Sequence, residues 1–451
     1  MIPDRFGAAL FAVMAILGVF WVGGTVGAAA IVPPGPARRL ERAGWGFALG
    51  LAVLATGLAA GYTLAFGAPV IGSLVLLAGT VWLGWRLRLP PAPAAGRAAI
   101  PLWQIVVGTA LAVILVWGFV AFLLRALTEP MVSNDYFAIW GLKGKTFFAE
   151  QAIPRRLFDW SSFEFSNPGY PLGLPLLYAA IGSMLGAWED HALALLFPCW
   201  LAATLMVLYG WLRRRGGSAL SALAAAALLA HFSALYSAHL VGMAEIPMAF
   251  AFLLAGTAVA DAFDGTDGRV YARVALASWI AAGTKNEGLF FAGTALVLLI
   301  VLALARKAPR PGRIALALAL PAAISTVLHR LAIGSHPVRG LDLGYLTRPD
   351  LAARFLEGLA AAWRIHLRPA LWPTVAVLVL IAVGRWTPHG DRLLLLAGAS
   401  AAVYLALPAL CPYGPVWLVT WTVGRALVAL APLFVAGVAA RLGSSVRMAG
   451  R

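Results

Sequence analysis

The chain has 451 residues, of which 62% are hydrophobic and only 12% are charged. Soluble domains contain about half apolar and a quarter charged residues, so this composition excludes a soluble globular domain. The net charge of +16 would suit a nucleic-acid partner, but the arginines cluster in short loops between apolar runs. The positive-inside rule assigns such loops to the cytoplasmic face. The basic residues therefore indicate topology, and we expect no nucleic-acid partner.

Sequence motifs for metal, disulfide or nucleotide chemistry are missing from the chain. Cys199 and Cys411 are its only cysteines, and both lie in or beside apolar segments, as is typical of small buried hydrophobic residues. The histidines are scattered and form no HExxH pair, and there is no CxxC and no Walker-type phosphate loop. We expect neither a zinc site nor an ATP-driven machine.

Apolar runs of bilayer-spanning length recur from one end of the chain to the other. Taken in order, they predict an all-α polytopic membrane protein with about 13 transmembrane helices. The N terminus is predicted outside and the C terminus inside, and the first run is too long for a cleaved signal peptide. The predicted spans are 6–32, 46–65, 68–87, 102–125, 190–212, 218–239, 248–263, 270–284, 288–305, 314–333, 369–385, 392–410 and 424–440.

A large external loop, 126–189, is predicted after the fourth span. Its stretch SNDYFAIWGLKGK (133–145) places Asp135 and two lysines among aromatic residues. Further on, YPLGLPLLYAAIGSMLG (170–186) is apolar but short, and two prolines interrupt its start. This pattern favours a re-entrant or interfacial helix, and a fourteenth span is the alternative.

Four further segments are predicted on the external side. Three are the loops 239–247, 284–288 and 411–425. In the fourth, 334–368, apolar residues recur at every fourth position with charged residues opposite. This spacing is typical of a helix that lies in the membrane surface. The apolar residues are Leu351, Phe355, Leu359, Trp363 and Leu367.

The stretch PPAPAAGRAA (90–99) separates three N-terminal spans from the rest of the chain. Its proline and alanine content is the nearest thing in the sequence to a hinge. We predict an accessory N-terminal part, 1–100, and a catalytic core, 101–451.

Asp135 and Lys143 are the first candidates for chemistry. Ionisable groups at a membrane edge are costly and are functional candidates by default. About two helical turns separate the two residues, so a helix would bring them near the same face. A structural role for Asp135 is the alternative, because Ser-Asn-Asp before an apolar helix is a typical N-cap signal.

Four other ionisable residues are predicted on the same face. Glu245 precedes a proline at the start of a span, where an acid also suits the helix dipole. Lys285 and Glu287 flank a tight turn and would either bind a partner or neutralise each other. Arg425 begins the final span as either a phosphate ligand or an ordinary interfacial arginine.

Two acids, Asp135 and Glu245, and three cations, Lys143, Lys285 and Arg425, are thus expected together at the external face. Such a set suits an anionic headgroup and the removal of a proton from an acceptor. Asp135 would act as general base, and the cations would stabilise charge on a departing phosphate. The cytoplasmic face is expected to offer no comparable mix of acids and cations.

Several segments of the chain occur in an order that resembles a known superfamily. After a first span, these are NDYFAIWGLKGKTFFAEQAIP (134–154), NPGYPLGLPLL (167–177), AEIPMAFAFLL (244–254), AAGTKNEGLFF (281–291) and VGRALVALAPLF (423–434). Together they resemble the GT-C superfamily of integral membrane glycosyltransferases, nearest to the bacterial branch with protein O-mannosyltransferases and the lipid A aminoarabinose transferase. The resemblance covers residues 102–440.

The resemblance implies roles for particular residues. In such enzymes an acid of the first external loop is the catalytic base, which by position is Asp135. An acid before proline in the second external loop assists, which here is Glu245. The Tyr-Pro element that begins at Tyr170 helps to shape the site. Lys143, Lys285 and Arg425 are then the candidates for holding phosphate, and Glu287 is a further substrate-binding candidate.

The implied reaction is direct displacement, usually with inversion, of a sugar from a polyprenyl-phosphate donor. The acceptor hydroxyl would belong to a lipid, a glycan or a protein, and the other expected partners are membrane lipids. The implied location is a bacterial inner membrane, with the site facing the periplasm or exterior. Metal dependence varies among members, so no cofactor is assigned and a divalent metal stays open.

The sequence departs from the superfamily pattern at two positions. Many relatives have a second acid where this chain has Asn134, which weakens a metal-site interpretation. Many also have a histidine opening the Tyr-Pro element, where this chain has Asn167.

A secondary transporter or a lipid flippase of the cell envelope is the alternative function. A transporter should show paired halves with broken helices and polar groups near the midplane. The two halves of this chain do not resemble each other, and its charges are predicted at one edge.

Overall fold

The computed structural model describes residues 3–35, 37–64, 68–88, 100–159, 162, 164–264, 268–305, 310–333, 343–368 and 387–445. Within these ranges all regular structure is helical and no strand occurs. Nine helices in the described ranges are long and apolar enough to cross a membrane. The predicted class, an all-helical multi-pass membrane protein, is confirmed.

The first three helices pack on one another and on the rest of the bundle. They are α1 (Pro3–Ala28), α2 (Arg38–Thr63) and α3 (Val70–Arg86). Glycines line the contacts among them, as is common where membrane helices approach closely. At the end of α2, the hydroxyl of Tyr62 donates a hydrogen bond to the carbonyl oxygen of Phe147 at 3.1 Å.

The remaining helices surround one fully buried helix. Those of six residues or more are α4 (Leu102–Thr128), α5 (Gly141–Glu150), α6 (Gly173–Leu185), α7 (Leu196–Arg214), α8 (Ala219–Ala230), α9 (Glu245–Ala262), α10 (Arg269–Thr284), α11 (Asn286–Leu304), α12 (Pro311–Ile333), α13 (Leu351–Ala362), α14 (Pro388–Ala406), α15 (Gly424–Ala429) and α16 (Ala431–Ser445). Every residue of α9 is buried, as its all-round apolar composition predicts. Helix α9 is therefore the centre of the bundle.

Each of the predicted spans within the described residues has a helical counterpart, but three are short. Helices α3, α8 and α10 have 17, 12 and 16 residues. The predicted span 218–239 is too long, because the helix ends at Ala230. After this end, the ring of Tyr236 packs against that of Phe122, with centroids 5.5 Å apart. The predicted span 369–385 lies outside the described residues.

The short apolar segment 170–186 forms α6, which is mostly buried in the bundle. Its 13 residues correspond to a length of about 20 Å, less than the ~30 Å hydrocarbon core of a bilayer. The geometry therefore favours a helix that does not cross fully over a fourteenth span.

The predicted surface helix is present as α13 and continues as a π-helical turn, Trp363–Leu367. Arg354, one of the charged residues opposite the apolar stripe of this helix, turns inward and donates to the carbonyl oxygens of Ala409, at 2.9 Å, and Cys411. Both carbonyls lie beyond the end of α14, and that of Cys411 also accepts a hydrogen bond from the backbone N–H of Gly414 at 3.2 Å. The position of α13 at a membrane surface stays a prediction, as does the boundary between residues 1–100 and 101–451, whose linker 90–99 lies outside the described residues.

The end of the bundle that carries Arg214 and Arg215, whose loop is predicted on the cytoplasmic face, combines acids with cations, contrary to expectation. Where α9 ends, the carboxylate of Asp261 accepts hydrogen bonds from Arg214 and Arg273, both at 2.6 Å, and from Arg215. Arg214 also pairs with Glu41 of α2 at 2.7 Å. Because a buried charge needs a partner, this network ties α2 to the core helices.

We predict that Asp261→Asn destabilises the fold strongly. Breaking a buried ion pair from one side costs about 3–5 kcal/mol, since the remaining charges stay buried without compensation. Thermal unfolding in detergent should show a large fall in the midpoint. Glu150→Gln is the control, because its pair with Arg156 is exposed and exposed pairs contribute little. Equal shifts in the two variants would contradict a stabilising role for the network.

Candidate functional site

Asp135 lies at the start of the helical segment that leads into α5. The hydroxyl of Ser133 accepts a hydrogen bond from the backbone N–H of Tyr136 at 3.1 Å, so Ser133 caps the segment. The Asp135 side chain makes no capping bond. A π-helical turn, Tyr136–Trp140, follows directly, and such turns are frequent at functional sites. The carboxylate of Asp135 is thus available for another partner, and the capping alternative does not hold.

That partner is Arg425, from the far end of the chain. Its guanidinium Nη1 donates to Asp135 Oδ2 at 2.6 Å, across 290 positions of sequence. Arg425 also follows a π-helical turn, Val419–Val423. Its Nε lies 3.6 Å from Oε1 of Glu245. Arg425 therefore connects two acids that the sequence analysis assigned to one face.

Glu245 and Lys285 form a fully buried ion pair at the same place. Lys285 Nζ donates to Glu245 Oε1 at 2.9 Å and lies 3.0 Å from Oε1 of Glu287. Burial alone would lower the pKa of the Lys285 ammonium, but the two carboxylates raise it well above its ordinary value. The predicted mutual ion pair of Lys285 and Glu287 is present, and it is part of a larger network.

The network has more carboxylates than cations. Three acids, Asp135, Glu245 and Glu287, face two cations, Lys285 and Arg425. Glu245 Oε2 and Glu287 Oε2 are buried and have no hydrogen-bond partner among the described residues. Buried acceptors of this kind are costly without donors. Ligand hydroxyl groups or waters are the donors that would satisfy them.

Tyr170 forms one wall beside this network. Its ring stacks on Trp140 with centroids 5.3 Å apart and planes 15° from parallel. Lys285 Nζ lies 5.9 Å from the centre of the same ring, within range of a cation–π contact. Burial raises the pKa of the Tyr170 phenol to about 12. Tyr170 is thus held as a neutral aromatic surface next to the charged groups.

Lys143 lies apart from the other candidate cations. It has no exposed surface, and its Nζ donates to the carbonyl oxygen of Asn167 at 2.8 Å. In the part of the chain that the structure describes, it makes no salt bridge. Burial lowers the pKa of its ammonium to about 7. Lys143 supports the loop before Tyr170 in this structure, and phosphate binding by Lys143 stays a prediction without a supporting contact.

Asn167 shows why this loop needs support. Its backbone is left-handed, with φ of 46°, a conformation that asparagine tolerates better than most residues. Two positions later, the carbonyl of Gly169 accepts a hydrogen bond of 3.4 Å from the side chain of Asn286. The loop is therefore fixed from Lys143 on one side and from the start of α11 on the other.

Tyr136 and Asp190 form a network that the sequence analysis missed. The Tyr136 hydroxyl and, at 2.7 Å, the Trp188 indole N–H both donate to Oδ1 of Asp190. The Tyr136 ring packs against Gly242, whose φ is +91° and where a Cβ would lie 2.9 Å from the ring. Tyr136, which directly follows Asp135, thus packs the start of this helical segment against the loop before Glu245. No sequence pattern signals this, because Asp190 is 54 positions from Tyr136.

The arrangement does not fit a metal site. Among the described residues, no group of three or more His, Cys, Asp or Glu side chains could hold a metal ion. Asp135 and Glu245 direct oxygens at Arg425 and Lys285, where a metal would compete with fixed positive charges. The cluster offers instead a carboxylate base, two cations for an anion and unpaired acceptors for hydroxyl groups.

We predict that Lys143 makes stability depend on pH. Its pKa is about 7 in the fold and 10.5 in the unfolded chain, so the unfolded chain binds more protons between these values and stability rises with pH. Each unit of difference corresponds to about 1.4 kcal/mol. Lys143→Met should flatten the rise in melting temperature from pH 7 to 10, whereas the exposed Lys145→Met should not. An unchanged slope in Lys143→Met would refute this.

We predict that Tyr136→Phe lowers the unfolding free energy by about 1–3 kcal/mol, because it removes a buried donor from Asp190. Chemical unfolding followed by tryptophan fluorescence would measure the change. Tyr413→Phe is the matched control, since Tyr413 is 53% exposed. A loss no larger than that of the control would show that the Tyr136 hydroxyl does not hold this segment.

The comparisons with known proteins supply no relative for this chain. A scan of family models and searches of curated proteins and of solved structures found no match. The GT-C resemblance therefore stays a prediction, which rests on the order of the sequence segments quoted above.

Proposed function

We propose that the protein is a membrane glycosyltransferase. It would move a sugar from a polyprenyl-phosphate donor to an acceptor hydroxyl at the external face, with inversion. The observation that carries the proposal is the contact between Asp135 and Arg425, which connects through Glu245 to Lys285. A candidate base and two candidate phosphate ligands thus meet within one network.

The contacts support a sequence of roles. Among the described residues of the network, Arg425 alone forms ion pairs with both Asp135 and Glu245. A donor phosphate that binds Arg425 would compete with Asp135 for the guanidinium. Asp135 would then be free to accept the proton of the acceptor hydroxyl as it attacks the anomeric carbon. Lys285 and Arg425 would stabilise the phosphate as the C–O bond breaks.

The unpaired carboxylate oxygens support a sugar as the transferred group. Glu245 Oε2 and Glu287 Oε2 are buried acceptors without donors. Sugar hydroxyl groups are hydrogen-bond donors that could bind both carboxylates. Tyr170 offers an adjacent aromatic face, stacked on Trp140. These features suit a polyhydroxylated ligand better than a plain anion.

The position of the charges also bears on the transporter alternative. Glu245 begins α9, Lys285 separates α10 from α11, and Arg425 begins α15. Glu245 and Lys285 thus lie at helix ends, and Arg425 meets Glu245 from within the helical span Pro415–Leu442. Secondary transporters bind their substrates near the midplane, between broken helices. This difference favours the transferase.

We predict that Asp135→Asn strongly lowers the rate of sugar transfer. Purified protein in lipid would be assayed with a panel of radiolabelled polyprenyl-phosphate sugars and membrane extract as acceptor. Loss of a general base should lower the rate by about 10²–10⁴-fold. Asp350→Asn is the matched control, because Asp350 is exposed at the start of α13 and should retain full activity.

Folding of both variants would be checked by size exclusion. Equal transfer by wild type and Asp135→Asn would move the catalytic carboxylate elsewhere, with Glu245→Gln the next variant. No transfer from any donor by folded wild-type protein would contradict the proposed function.

A further inference from the structure

A cluster of arginines lies where α2 and α10 begin, at the end of the bundle that carries Asp261. Arg38 and Arg42 are about one turn apart on α2 and share a face, and Arg269 is the first residue of α10. The guanidinium groups are close enough for the positive charges of Arg42 and Arg269 to repel that of Arg38. Arg38 and Arg269 also contact other groups. Because like charges destabilise one another, the cluster favours a nearby anion.

The acids at this end of the bundle already have cationic partners. Glu41 accepts hydrogen bonds from Nε and Nη2 of Arg214, at 2.8 and 2.7 Å. Asp261 accepts hydrogen bonds from three arginines, and Asp264 pairs with further cations. Arg42, by contrast, forms no ion pair with any residue that the structure describes. The positive charge of Arg42 is therefore available to an added anion.

Buried N–H donors without acceptors accompany the arginines. The Nε groups of Arg42 and Arg273 and the indole N–H of Trp45 have no hydrogen-bond partner in the described part of the chain. Trp45 has no exposed surface and follows Arg42 by three positions, so both lie on one face of α2. Arg273 Cζ lies 5.9 Å from the centre of the Trp45 ring. Buried donors are costly without acceptors, and the oxygens of an anion are acceptors.

The helix starts add to the attraction for an anion. Neither the start of α2 nor that of α10 is capped by a side chain. The positive ends of both helix dipoles lie there, and phosphate groups commonly bind at such positions. Together with the arginines and the buried donors, these helix starts favour a phosphate group over a neutral ligand.

Two features indicate that a membrane lipid carries the phosphate. The arginines belong to loops that are predicted on the cytoplasmic face, where the membrane leaflet is rich in anionic lipids. Basic pockets between transmembrane helices on that face are typical sites for lipid headgroups. Leu40, in the first turn of α2, is 41% exposed and offers apolar surface to a lipid chain.

We propose that the phosphate group of an anionic phospholipid binds between the starts of α2 and α10. Arg38 and Arg42 hold it from α2, and Arg269 holds it from α10. Helix α2 belongs to the predicted accessory part, 1–100, and α10 belongs to the predicted core, so one lipid joins the two parts. This site is separate from the charged network at Glu245, and its occupation requires no sugar transfer.

Native mass spectrometry tests the proposal. Delipidated protein in detergent is titrated with phosphatidylglycerol, which is anionic, or with phosphatidylcholine, which has no net charge. We expect phosphatidylglycerol to bind about tenfold more tightly, and Arg42→Gln to weaken its binding about fivefold. Arg39→Gln is the matched control and should leave the binding unchanged. Arg39 is exposed and lies on a different face of α2 from Arg38 and Arg42.

Arg269→Gln provides a second variant if Arg42→Gln does not fold, and it should weaken the binding by a similar factor. Equal affinities for the two lipids would overturn the proposal. Equal losses in Arg42→Gln and Arg39→Gln would also overturn it, because the arginines would then act only as diffuse surface charge. Displacement of phosphatidylglycerol by inorganic phosphate at equal concentration would overturn it as well, because the site would then bind the free anion.

Discussion

Glu245 is a carboxylate with no exposed surface, and the cost of burying its charge determines which segments meet at this end of the bundle. A lone carboxylate in the interior is strongly disfavoured unless cations and donors compensate it. Lys285 provides one cation from the turn between α10 and α11, and Arg425 provides another from α15. Arg425 then holds Asp135. Three segments distant in sequence from Glu245 thus meet it, two directly and that of Asp135 through Arg425.

The buried acids at the two ends of α9, Asp261 and Glu245, differ in how fully their carboxylate oxygens are hydrogen-bonded. Asp261 and Glu245 lie about 24 Å apart along the helix. Asp261 is bonded to three arginines and to the indole N–H of Trp211, at 3.0 Å for the indole. Glu245 keeps one oxygen without a partner. Both carboxylate oxygens of Asp261 have donors, whereas Glu245 Oε2 has none and could accept a hydrogen bond from a ligand. This contrast favours the Glu245 end as the candidate site.

The sequence alone predicts the helices and the main charged residues well, because length and hydropathy identify spans and because charges at a membrane edge are rare. The sequence does not predict which partners long side chains contact. Lys143 was expected among the phosphate ligands but bonds to Asn167, since burial direction depends on tertiary packing. The Asp190 contact with Tyr136 and the pairing of Glu41 with Arg214 were also missed. Both join residues whose spacing carries no periodic signal.

The most direct test of the account is a cryo-EM structure of the protein in a nanodisc with a non-hydrolysable polyprenyl-phosphate sugar. The account predicts phosphate within hydrogen-bond distance of Arg425 or Lys285 and the sugar against Glu245 and Glu287. It also predicts that Asp135 leaves Arg425 and faces the anomeric carbon. Donor phosphate bound at the Asp261 end, or an unchanged Asp135–Arg425 pair with the ligand elsewhere, would contradict it.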